Sequence, residues 1–292
     1  MSFHIVVLAK QVPDTHNIKG DAMKEDGTVN RQALPAVFNP EDLHALEAAL
    51  VVKERYVGSK VSVLCMGPPA AEQVLKESLY RGVDFVALIS DRKFAGADTL
   101  ATSYALKCAI EKLGAYDLVF CGRQAIDGDT AQVGPQTAEK LGINQITYVN
   151  DLRSLDPLTR EVVARRSIEG GYEVVKAKMP LLLTFTDEAY SPRPPSAKKL
   201  LSYRKVTARA VNESYDESYI EVGDSAAEIA IQIWDIKTIG ADPEQCGLAG
   251  SPTKVKKIQS VVLTSASTRM IDGSDGAIAE MIAELHNDHT LG

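Results

Sequence analysis

Apolar strand-length runs alternate with helical patterns over the first 150 residues. This predicts an α/β protein built on a doubly wound, mostly parallel sheet, with a β-hairpin extension and a C-terminal arm that packs on a partner subunit. Three observations carry the prediction. The runs Phe3 to Ala9, Lys60 to Met66, Phe85 to Ile89 and Leu118 to Cys121 are continuous rather than alternating, as strands covered on both faces are. The connections between them and the helical patterns are short. At 292 residues and 45% hydrophobic content, the chain is long enough to bury one substantial core.

The elements follow in order. After the first strand, Lys10-Gln11-Val12-Pro13-Asp14-Thr15 is expected to turn the chain out of the sheet. Asn39-Pro40-Glu41-Asp42 has the composition of a helix start: a capping side chain, proline at the first helical position and two acids in the positive first turn. Leu43, Leu46, Ala49, Leu50 and Val52 continue that helix at helical spacing. Helices are expected over Ala70 to Tyr80 and Ala97 to Leu113, with Asp98 or Thr99 capping the latter, and a short fifth strand over Ile146 to Val149. Beyond residue 150 the pattern changes. Arg160 to Arg166, Tyr172 to Met179 and Leu181 to Thr186 read as extended, with Glu169-Gly170-Gly171 as a hairpin turn. Pro192-Arg193-Pro194-Pro195 breaks regular structure, and Lys198, Lys199, Arg204, Lys205 and Arg209 form a basic patch. The stretch from Asn212 to about Gln245 is acidic and weakly periodic, and Ile278, Met281, Ile282 and Leu285 mark one short amphipathic helix. The division is therefore a domain over 1–210 and an arm over 211–292.

Composition excludes several functions. A net charge of −7 and a pI near 5.4 argue against nucleic-acid binding, which leaves a basic excess. Cys65, Cys108, Cys121 and Cys246 lie far apart, without metal-ligand spacing, and read as buried thiols. His286 and His289 have metal-compatible spacing but sit in a polar tail that reads as a frayed end. The amino terminus lacks a basic leader and cleavage site, and no segment has the apolar length of a membrane helix. The expected location is cytoplasmic, with no membrane insertion.

The chemistry is concentrated in Gly122-Arg123-Gln124-Ala125-Ile126-Asp127-Gly128-Asp129-Thr130-Ala131-Gln132-Val133-Gly134, a polar loop between a buried strand and a helix. Wound sheets bind ligands beyond the carboxyl ends of their strands, here Ala9, Met66, Ser90 and Gly122. Backbone amides at such a loop can approach phosphate oxygens. Asp127 and Asp129 would repel phosphate if they faced it, so a nucleotide would be held by amides and the Thr130 hydroxyl, with Arg123 as counter-charge. Pro135 implies that the loop extends through Gly134 or that the helix kinks there. Taken singly, Asn39 is better read as a helix cap and Cys121 as a core residue, Asp98 or Thr99 is equally well read as a plain cap, and Asp-Gly-Asp is also an ordinary solvated turn. There is no GxGxxG, Walker lysine loop, HExxH or GxSxG motif.

Together these residues resemble the β (small) subunit of electron transfer flavoproteins over nearly the whole chain. The resemblance is carried by Leu8-Ala9-Lys10-Gln11-Val12-Pro13, Asn39-Pro40, Met66-Gly67-Pro68, the Gly122 to Gly134 loop, Glu169-Gly170-Gly171, Pro192-Arg193 and Gly250-Ser251-Pro252-Thr253-Lys254-Val255. It implies a heterodimer with an α subunit that carries an electron-transferring FAD. It also implies an adenine nucleotide bound by this chain: AMP in ordinary members, FAD receiving hydride from NADH in electron-bifurcating ones. The implied cofactor-binding positions are Ala9, Asn39, Pro40, Asp42, Met66, Gly96, Ala97, Asp98, Thr99 and Arg123 to Gly134. Gly96 to Thr99 and Arg123 to Gly134 look most like the bifurcating and nitrogen-fixation-associated branch, which favours FAD over AMP. In that reading Arg123 lies near the flavin or its diphosphate, the Asp98/Thr99 helix start serves the pyrophosphate, and no protein residue is catalytic. Segment 187–203 corresponds to the family's loop that docks an acyl-CoA-type or other dehydrogenase, with departures at Pro194 and Leu200-Leu201. Rival readings are an ATP-using transferase or ligase, for which Lys10-Gln11-Val12-Pro13 is a poor pyrophosphate loop, and a subunit with permanently bound AMP.

Overall fold

The computed structural model describes residues 2–14, 35–206, 208–210 by backbone alone, 231–253 and 270–287. Thr15, the side chain of Arg209, most of the acidic stretch from 212, Lys254-Val255 and His289 lie outside the described residues.

Strand β1 (His4–Ala9) is the central element of a ten-stranded sheet. It pairs in parallel with β4 (Lys60–Met66) on one side and β6 (Leu118–Gly122) on the other. Strand β5 (Phe85–Ile89) continues the sheet beyond β4, and β10 (Leu181–Phe185) continues it beyond β6, all in parallel. The strand order thus reverses at β1, and wound sheets hold ligands beyond the carboxyl end of the strand where this happens. Between β1 and α1 (Pro40–Arg55) the described chain forms a two-stranded antiparallel ribbon, β2 (Gln11–Pro13) with β3 (Ala36–Phe38). The sequence predicted only a turn there.

Every side chain of β1 from Ile5 onward is buried, because helices cover both faces of the sheet. On one face Ile5, Val7, Val63 and Phe120 pack under α1, through Leu46, Ala49 and Leu50, and under α2 (Glu72–Arg81), through Leu75 and Leu79. On the other face Val6, Leu8, Leu64 and Val119 pack against α3 (Thr99–Leu113) and α4 (Val133–Leu141).

The fifth predicted strand is much longer than expected: β7 runs Asn144–Asp156, pairs in parallel with β10, and then continues antiparallel to β8 (Glu161–Ile168). Polar Asn150, Asp151, Arg153 and Ser154 mask this continuation in the sequence. They alternate with or flank buried Leu152 and Leu155 on a half-solvated hairpin arm, and the register shifts twice along it. Strand β9 (Gly171–Lys178) closes the hairpin at the turn containing Gly170, whose φ of 75° suits glycine.

Past the short helix α5 (Ala197–Tyr203) and β11 (Ala208–Ala210), strand β12 (Ile231–Trp234) pairs in parallel with β5. Trp234 is buried in the main core, so this part of the expected arm belongs to the sheet. Helix α6 (Asp275–Asn287) buries no residue and leaves Ile278, Met281 and Ile282 exposed. No described helix is long and apolar enough to cross a membrane.

Candidate functional site

The site is built where β1 and β6 end, and the first turn of α1 fastens it. Asp42 is buried and its carboxylate bridges the two strand ends: Oδ2 accepts from the Lys10 amide at 2.9 Å and Oδ1 from the Gly122 amide at 2.8 Å. A side chain on Gly122 would force the backbone of α1 to shift, since its Cβ would lie 2.7 Å from Asp42 Oδ1 and 2.8 Å from the Asp42 amide nitrogen. Glu41 takes the next step of the loop. Its Oε2 accepts from the Gln124 amide at 2.8 Å, and its Oε1 pairs with Arg123 Nη2 at 2.6 Å.

Asn39 makes no side-chain cap on α1. Its Nδ2 donates to the Gln124 carbonyl at 2.9 Å, and its Oδ1 accepts from the Ile126 amide at 3.2 Å. The helix-cap reading of this residue is therefore corrected: its amide reaches across 85 residues to hold the loop. Pro40 sits at the first helical position as expected.

Burial pushes the Asp42 carboxyl up to about 7, against the pull of the Gly122 and Lys10 amides, the Asn39 side chain and the Lys10 charge. The thiol of Cys121 next to it is pushed well above its ordinary range, first by burial and then by the Asp42 and Glu41 carboxylates. It is a core residue.

The two loop aspartates are turned to partners within the protein. Lys10 Nζ donates to both Asp127 oxygens at 2.7 and 2.8 Å, and Asp129 Oδ1 accepts from Gln124 Nε2 at 3.0 Å. Asp129 and Ala131 both have positive φ, 48° and 52°, which is strained backbone for residues bearing a Cβ. Ala131 is followed by Gln132 at φ −101°, ψ −29°. Such a left-to-right handed succession turns consecutive amides toward one point, a concavity suited to an anion. The amides of Thr130, Ala131 and Gln132 make no hydrogen bond among the described residues, and Gly128 to Thr130 are exposed.

The loop ends at Gln132, two residues short of the expected extension through Gly134. Helix α4 begins at Val133, and Pro135 occupies its first turn, where a missing N–H costs nothing. Gly134 is pressed against the sheet, since a Cβ would meet Thr184 Cγ2 at 2.8 Å and Cys121 Sγ at 3.0 Å.

The other wall is the Gly96-Ala97-Asp98-Thr99 turn. Asp98 caps α3 by accepting from the Leu100 and Ala101 amides, so two of the helix-start donors are filled by the chain itself. Its other oxygen accepts from Thr253 Oγ1 at 2.7 Å, and its amide donates to Ser251 Oγ at 2.9 Å. Although burial raises it, the hydrogen bonds from Ala101, Thr253 and Leu100 hold the Asp98 carboxyl below its ordinary value. Thr99 Oγ1 donates to Gln132 Oε1 at 2.9 Å and so joins this wall to the loop. Ala9 and Met66 lie at their strand ends as predicted.

Sequence reasoning missed Lys10, Tyr148, Ser251 and Thr253 as site residues. The Arg123 guanidinium lies 5.6 Å from the Tyr148 ring, and Tyr148 itself has a φ of 59°. Arg123 Nε is buried without a partner among the described residues. The rim is an open shelf rather than an enclosed cavity. A hollow of about 350 Å³, lined by Leu100, Tyr104, Lys140 and Ala249 to Pro252, borders the Asp98 wall through Ser251, and another of about 260 Å³ lies at the opposite sheet end near His4 and Asp117. No cluster of His, Cys, Asp or Glu among the described residues could hold a metal ion.

A wound parallel sheet that reverses at β1, with a polar loop fastened at the reversal, defines the class as a doubly wound α/β protein with a strand-end shelf. The family model described as "Electron transfer flavoprotein domain" matches residues 26–211. The electron transfer flavoprotein subunit beta of Clostridium acetobutylicum is 42% identical over 96% of this chain and 94% of its own length. The caffeyl-CoA reductase-Etf complex subunit CarD of Acetobacterium woodii is 44% identical over 86% of this chain and 85% of its own. Protein FixA of Azorhizobium caulinodans is 40% identical over 97% of this chain and 93% of its own. The chain belongs to the electron transfer flavoprotein family, among its β subunits.

Proposed function

We propose that this chain binds FAD on the strand-end shelf and, paired with an α subunit in the cytoplasm, passes electrons between NADH and partner dehydrogenases by flavin-based bifurcation. The observation that carries the reading is the set of amides from Thr130 to Gln132, which lie beside two positive-φ residues and are free of partners among the described residues. The donor set fits a diphosphate: amides from the loop, the Thr130 hydroxyl, and Arg123, whose buried Nε has no partner among the described residues. Bound FAD supplies the redox chemistry.

The protein's own contribution is to bind and to set charge. Asp127 and Asp129 are held off the anion by Lys10 and Gln124. Glu41 offsets part of the Arg123 charge, which moderates the positive field the ligand meets. No side chain is required as acid or base, and NADH oxidation belongs to the αβ complex. The likeness to CarD, named for a caffeyl-CoA reductase–Etf complex, supports the bifurcating branch. The exposed α6 supports an arm that packs on the α subunit. The transferase or ligase alternative is disfavoured by the β2–β3 ribbon, which follows β1 where a glycine-rich pyrophosphate loop would be needed.

The test is a count of nucleotides released from the purified, co-expressed αβ pair. Two FAD per heterodimer is the expected result. One FAD with one AMP would replace the bifurcating reading with that of a simple carrier, and no nucleotide would overturn both.

A further inference from the structure

The segment read above as the dehydrogenase-docking loop is held by very little apolar burial. Helix α5 has no buried residue, and Leu200 and Leu201 are 42% and 63% exposed, between Lys198, Lys199, Arg204 and Lys205. Tyr190 holds the segment's start, with its ring 6.5 Å from that of Phe185 and its hydroxyl accepting from the Leu152 amide at 3.1 Å, and between Tyr190 and α5 the side chain that ties it to α1 is Arg193. Arg193 Nε and Nη2 donate to the Glu47 carboxylate at 2.8 to 3.0 Å, its backbone amide donates to Glu47 Oε2 at 3.0 Å, and Nη1 pairs with Glu54. The Arg193 carbonyl accepts from Arg81 Nε at 3.2 Å. Glu47 is only 7% exposed, so this is a partly desolvated, multidentate pair on α1 rather than a surface ion pair. Glu47 and Glu54 hold the guanidinium more firmly protonated than an ordinary arginine.

Prolines 192, 194 and 195 limit the backbone on both sides of the anchor. Ser196 then donates its amide to the Tyr80 carbonyl at 2.9 Å and caps α5. Glu47 follows Glu41 by six residues on the same helix, about 9 Å along the axis. The docking segment and the nucleotide shelf are therefore referenced to one rigid element.

We propose that Arg193 is a positioning residue for partner docking: through Glu47 and Glu54 it sets where Leu200 and Leu201 meet the dehydrogenase. The inference rests on the docking reading of segment 187–203 and goes beyond it by naming the residue that orients the surface.

The experiment uses the co-expressed αβ complex and an acyl-CoA dehydrogenase as electron donor, with flavin reduction followed optically and dithionite as a donor that needs no docking. R193Q strands a buried carboxylate and can lose stability for that reason alone. The double variant R193Q/E47Q removes the stranded charge and serves as the second probe. The expected result for both is a KM for the dehydrogenase raised about tenfold, with kcat, flavin content and dithionite reduction unchanged. An unchanged KM in the folded double variant overturns the proposal. L200A/L201A separates the two claims. If this variant leaves KM unchanged, the docking reading itself fails; if it raises KM while R193Q/E47Q does not, only the positioning role fails.

Discussion

Replacing Asp42 with asparagine tests the buried clamp that joins the ends of β1 and β6. In the folded chain this carboxyl is raised from 3.8 to about 7. A folded-state value above the unfolded one means that folding takes up a proton: the stability this group contributes is complete below pH 4 and is lost as pH rises through 7. At 1.36 kcal/mol per unit, the full displacement is worth about 4 kcal/mol, and the part lost between pH 5 and pH 8 is roughly 2.5 kcal/mol. The asparagine side chain of Asp42→Asn cannot ionise, and it faces two amide donors with one oxygen and one NH2 group, a pH-independent penalty of about 1–3 kcal/mol. Urea unfolding of both proteins at pH 5, 6, 7 and 8 should therefore show the wild-type advantage shrinking most between pH 5 and 7 and levelling off toward pH 8, with unchanged m-values. Parallel stability curves would refute the argument, because they would mean that Asp42 titrates alike in the folded and unfolded chains.

Two further outcomes follow from the loop's geometry. Gly122→Ala places a Cβ against Asp42 Oδ1 and the Asp42 amide, whereas Gly128→Ala meets nothing within 4 Å. The first should cost at least about 3 kcal/mol and the second less than about 0.5 kcal/mol in denaturant titrations. Asn39→Ser keeps a cap-competent side chain but cannot reach Gln124 and Ile126, so it should lose about 1–2 kcal/mol and speed proteolytic cleavage within 123–132. Wild-type stability in Asn39→Ser would restore the cap reading.

The parts of the fold that were legible in the sequence are those where local pattern and tertiary environment agree. Lys60–Met66 and Phe85–Ile89 end where the apolar runs end, because both faces of these strands are covered. Strand β7 was underestimated because a strand half in water carries polar residues at Asn150, Asp151 and Arg153 that look like a loop. Asn39 before Pro40 has the same local signature whether it caps its own helix or staples a loop. The deciding partners lie 85 and 87 residues away. Pro135 misled for a related reason: its cost depends on its position relative to a helix start that only packing of Gly134 on Cys121 and Thr184 defines. Asp127 and Asp129 find their partners in Lys10 and Gln124, neither of which local pattern marks as a partner. Ser251 and Thr253 were visible as part of a family landmark, but their contact with Asp98 spans more than 150 residues.

If backbone amides of the loop grip a diphosphate, hydrogen exchange reads those amides directly. The measurement is mass-spectrometric exchange on the αβ complex, stripped of nucleotide and then reloaded with FAD. Strong new protection at the 130–132 amides is expected on reloading. Full reloading of the complex with exchange at those amides unchanged would contradict the proposed grip.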